Sequence, residues 1–201
     1  MWRPFSFHGE VVGLEIARGH DGLLRGDPEP VVVVGAYLLN PPYVQVVGRS
    51  LHRFQAHSPF PSTATTKDRS LPAGSIQMPK GAPRWVVLAL ALEEDGGLDV
   101  QRAFGALEHH AALSVWASEE RDVEPYGLST IPATPTWFLP RAVQLQVDGA
   151  PFAGTCRSDK WIGAVCWMLE GREPPDRARY RLPFLAEDRR NDWTAVLDVT
   201  R

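Results

Sequence analysis

Cysteine is scarce in this chain of 201 residues, which carries only Cys156 and Cys166. Two thiols do not make a disulfide scaffold, and neither lies in a CxxC motif of the metal-binding or redox kind. Long apolar runs are also missing. A membrane-spanning helix needs roughly 18 consecutive apolar residues, and the longest runs here, around Val86–Leu92 and Ile162–Leu169, have strand length. The opening stretch MWRPFSFHGE holds no segment of signal-peptide type, so a cytoplasmic location is the expectation. Charge of one sign is lacking as well, with 21 Lys and Arg against 24 Asp and Glu and a net charge of −3. Binding nucleic acid through its phosphates requires a basic face, so that function is not expected. Arg177, Arg179 and Arg181 are concentrated locally, but they alternate, as residues on the solvent face of a strand do. Finally, there is no GxSxG, no HExxH and no phosphate loop. His8, His20, His52 and His57 show no zinc-ligand spacing. A protein without catalytic activity is the expectation.

What is present points to a folded domain. Hydrophobic residues make up 44% of the chain and include seven tryptophans, ample for a core. The length suits a single domain over 1–201, enlarged by insertions. Val12, Leu14 and Ile16 alternate with polar or small residues, predicting a first strand. Val31–Leu39 is an unbroken run rich in β-branched residues, the pattern of a strand covered on both faces. Further strands are expected over Val44–Phe54, in RWVVLALALEE, in ALSVWAS, through Val143, Leu145 and Val147, and over Trp161–Leu169, Tyr180–Leu185 and Trp193–Val199. One helix, near residues 99–110, follows from the helical spacing of Val100, Phe104 and Leu107, with Asp99 as its N-cap. Residues 57–83 and 118–140 are Pro-rich and predict irregular connections. The fold class is mainly β, an antiparallel sandwich with one short helix and long Pro-rich insertions.

One stretch calls for a chemical reading. In ARGHDGLLRGDPEPVVVV, Asp21 and Asp27 stand six residues apart with Leu23 and Leu24 between them, just before a strand. Later, VQLQVDGAPFAGTCRSDKWIGAV ends a strand on Asp148, carries Asp159 in a loop and starts the next strand at Ile162-Gly163. Over about residues 10–40 and 142–200 this pattern resembles the C2 domain family, with its strand, acidic loop, Asp-Pro and strand, and its late acidic loop before Ile-Gly. The resemblance implies a C2-like β-sandwich whose two loops meet at one end. It implies calcium as the ligand, held by Asp21, Asp27, Asp148 and Asp159. Calcium takes six to eight oxygens, mostly from carboxylates and carbonyls, so four acids from two loops suit it.

The same resemblance sets Leu23, Leu24 and Phe152 at the loop tips as contacts to a membrane or a protein partner. Bound calcium would reverse the local charge and bridge to an anionic lipid surface. The expected function is therefore a non-catalytic binding module, calcium-responsive and peripheral to a membrane or docked on a protein. The chain departs from the family pattern at Ala150 and Lys160, where acids are usual. Those departures and the Pro-rich segments support a second reading, a structural protein of a larger assembly that keeps the sandwich without a working calcium site. The leucines then tuck under the loop and the acids cap turns. A further acidic stretch, EEDGGLD at residues 93–99, fits a strand-to-helix turn with a favourable acidic helix start better than a metal site.

Overall fold

Val31, Val32, Val33 and Val34 are all buried, as a strand with no solvent face must be. Val32 and Val34 turn one way and Val31 and Val33 the other, because successive strand residues point to opposite faces. The strand therefore sits in a middle layer, and the chain folds around it. The structure is a computed structural model that describes residues 5–19, 27–40, 43–57, 59–64, 74–76, 84–108, 139–142, 146–147, 150–170, 177–186 and 189–200.

The elements in chain order are β1 (Phe5–Arg18), β2 (Pro30–Asn40), β3 (Tyr43–Arg53), β4 (Ser62–Ala64), β5 (Gly74–Ile76), β6 (Arg84–Glu93) and α1 (Leu98–Ala106). They continue with β7 (Leu139–Ala142), β8 (Gln146–Val147), β9 (Ala150–Pro151), a 3-10 turn (Phe152–Thr155), β10 (Lys160–Glu170), β11 (Arg177–Leu185) and β12 (Asp192–Thr200). One five-stranded sheet runs β11-β12-β1-β4, with β5 also on β1. The other runs β3-β2-β6-β10-β7, and β8 and β9 form a small ribbon of their own. Neighbouring strands are antiparallel throughout. The chain is a mainly β, antiparallel sandwich with one short helix, as the alternation predicts.

The inner core lies between the sheets. Leu14 and Ile16 of β1, Leu182 and Phe184 of β11, and Trp193 of β12 meet Val32, Val34, Ala89, Ala91 and Ile162 of the second sheet. A second core lies on the outer side of that sheet. There Val100, Ala103 and Leu107 of the helical segment, with Phe152, cover Val31, Val33, Leu88, Leu90 and Leu92. Each Val, Leu, Ile or Phe side chain among them taken fully out of water stabilises the fold by roughly 1.5–3 kcal/mol. The helix is thus a third layer, and it explains why β2 and β6 are apolar on both faces. Tyr37 ties the layers together, its buried hydroxyl donating to the Leu107 carbonyl at 2.8 Å. Its ring lies over Gly35, where a Cβ would come within 2.6 Å of the Tyr37 hydroxyl.

Four details differ from the expectations. Val12 is not an inward residue. The register on β12 jumps between Val11 and Gly13, so Val12 is the extra residue of a bulge and Val11 takes the inward place with Leu14 and Ile16. The helix starts at Leu98 and ends at Ala106, and its N-cap is Gly97 in the left-handed conformation at φ 76°. Asp99 therefore lies within the first turn. Residues 57–83 include two short strands: β4 pairs with Leu14–Ile16 and β5 with Phe5–Phe7. The rest of that segment beyond residue 64 lies outside the described residues, as do 118–138 and the ALSVWAS stretch.

The arginine run behaves as a strand's solvent face should. Arg177 and Arg181 are exposed, Arg179 and Arg177 pair with Asp198 on β12, and Arg181 pairs with Glu15 on β1.

Candidate functional site

Several loops share one end of the sandwich. Pro30 of β2 and Lys160 of β10 both stand opposite Glu93 of β6, so the three strands share a row at this end. Two backbone bonds tighten it, Glu94 N–H to the Glu29 carbonyl and Phe54 N–H to the Pro30 carbonyl, each 2.9 Å. Arg18 opposite Asp192 brings the β11–β12 turn to the same end. The loop carrying Asp27 and the loop carrying Asp159 are therefore neighbours, on either side of the β6–α1 turn.

Asp159 does not face solvent at that end. It is 5% exposed, and its carboxylate accepts four backbone N–H groups. Oδ1 takes those of Asp95, Gly96 and Gly97 at 3.1, 2.8 and 2.7 Å, and Oδ2 takes that of Val100 at 2.9 Å. The first N–H groups of a helix have no partner within it, and a carboxylate from a distant loop fills the gap here. Gly97 makes this possible, since its positive φ turns consecutive N–H groups toward one oxygen.

The arrangement is reciprocal. Asp99, equally buried, accepts the backbone N–H groups of Arg157, Ser158 and Asp159 at 2.7, 2.7 and 3.1 Å, and the Ser158 hydroxyl at 3.0 Å. Its other oxygen pairs with Arg102 at 2.7 Å. Burial alone would raise both acids, but the backbone bonds outweigh it and hold both carboxyls below their ordinary value. The two segments thus clasp each other through one carboxylate each.

Phe152 belongs to the same clasp and not to a loop tip. It is fully buried in the outer core, edge-on to Trp161 at 5.4 Å between ring centres. The Arg102 guanidinium lies 5.3 Å from its ring centre and also reaches the Thr155 carbonyl and hydroxyl at 3.1 and 3.2 Å. Expected at a loop tip as a membrane or partner contact, Phe152 here has no accessible surface. Cys156 is part of the same packing, its thiol pushed up to about 12 by burial and then by Asp99. A thiol held protonated in this way is a poor nucleophile.

Asp27 is different. It is exposed, and its carboxylate meets His57 Nδ1 at 3.2 Å. Nearby, Arg53 holds Glu94 by two bonds of 2.7 and 2.8 Å. Asp21, Leu23, Leu24 and Asp148 lie outside the described residues. The strands that Asp27 and Asp159 lead into are separated by β6, about 10 Å apart at ordinary strand spacing. Calcium ligands must reach within about 2.6 Å of the ion, and the Asp159 carboxylate is turned toward residues 95–100. In this structure Asp159 caps the helix. Among the described residues no three His, Cys, Asp or Glu side chains come together as a metal site.

Ser158, Arg102 and the clasp role of Asp99 were not among the sequence-derived candidates. Their only signal was that two short stretches, GGLD and RSDK, each place an acid beside residues suited to turns. The chain matches no family model, no curated protein and no solved structure. Among the described residues no helix is long and apolar enough to cross a membrane.

Proposed function

We propose that the chain is a non-catalytic interaction module of a larger protein assembly. On this reading its strand and loop pattern is C2-like, and its late loop works as a structural clasp independent of calcium. The observation that carries it is the Asp159 carboxylate, whose two oxygens accept four backbone N–H groups. Giving such a group to a cation would strip the helix of its cap and leave those donors buried without partners, at about 1–3 kcal/mol each. The burial of Phe152 supports the same view, since it removes one of the three apolar contacts that a membrane-docking tip would use. The Pro-rich segment at 118–140 is the part we assign to contact with a protein partner, on composition and length, whereas 57–83 gives two of its stretches to the domain's own β1. The proposed location is the cytoplasm, as part of that assembly.

Calcium titration by calorimetry, with and without phosphatidylserine vesicles, tests this. No binding heat and no co-sedimentation with vesicles in calcium are expected. Micromolar binding that Asp27→Asn abolishes would overturn the proposal and restore the calcium-responsive reading. In that case vesicle binding should fall when Leu23 and Leu24 are replaced by serine.

A further inference from the structure

We draw no further inference here: the strongest candidate, the outer edge of β3 in the second sheet, meets no strand among the described residues, but a bulge at Val47 interrupts it and nothing in the structure shows what covers it.

Discussion

Asp27 and Asp159 are the same residue type at the same end of the same sandwich, yet their environments are opposite. Asp27 stands in solvent with one histidine beside it. Asp159 is buried, and four backbone donors converge on it. What marks Asp159 is the supply of backbone N–H groups around it. The β6–α1 turn and the first turn of the helix offer several, and a carboxylate near them is captured. Asp27 lies on a loop before a strand, exposed, with its carboxylate 3.2 Å from His57 Nδ1. A count of acids at a loop end is therefore a poor guide to metal binding until each has been checked for backbone donors.

Substitutions can break or sharpen that contrast. The largest effect should come from Phe152→Ala, which opens a cavity under α1 where the ring meets Trp161. A loss of about 3–5 kcal/mol is expected from chemical denaturation. An unchanged midpoint would mean that Phe152 lies at a free tip after all. Next is Asp159→Asn. The amide retains one oxygen but turns N–H groups toward backbone N–H groups, so about 2–3 kcal/mol should be lost in the same measurement, with or without calcium.

Acid should separate the two loops as well. Asp99 and Asp159 have folded-state carboxyls below the ordinary aspartate range, so their contribution to stability is complete above that range. That contribution is lost as pH falls from there through the lower folded values. Urea unfolding at a series of acidic pH values should show this slope, and Asp99→Asn should flatten it. The smallest effect is expected of Asp27→Asn, a surface change worth about 0.5 kcal/mol or less. A clear loss of stability there, in the presence of a chelator, would show that the early loop is also clasped.

The fold was legible because its dominant signal is local. Alternation or an unbroken apolar run along single strands located β2, β3, β6, β10, β11 and β12 to within a few residues. The unbroken run in β2 announced a strand covered on both faces, although not that a helix would be one of the covers. The bulge at Val12 shifted the inward set by one residue, because an inserted residue changes the register without changing the composition. The clasp was illegible for a different reason. Asp99 looked like a cap for its own helix, whereas the carboxylate on the helix N–H groups arrives from a loop 59 to 64 residues later. Local pattern has no access to a partner that far along the chain. The resemblance of the two acidic loops to the C2 pattern supplied positions for Asp27 and Asp159 but not the hydrogen bonds that distinguish them.

The reciprocal clasp also bears on what keeps the outer sheet face covered. A helix of nine residues is too short to persist alone in water. Its latch comes from Ser158 and Asp159, in the loop just before β10, and its floor includes Phe152 further upstream. The full set of helix contacts is therefore complete only with β10 alongside β6. Without the helical segment and Phe152, Val31, Val33, Leu88 and Leu90 would have no outer cover, and exposed apolar sheet of that kind favours association. Two carboxylates thus hold in place the helix and the Phe152 ring that keep that face out of solution.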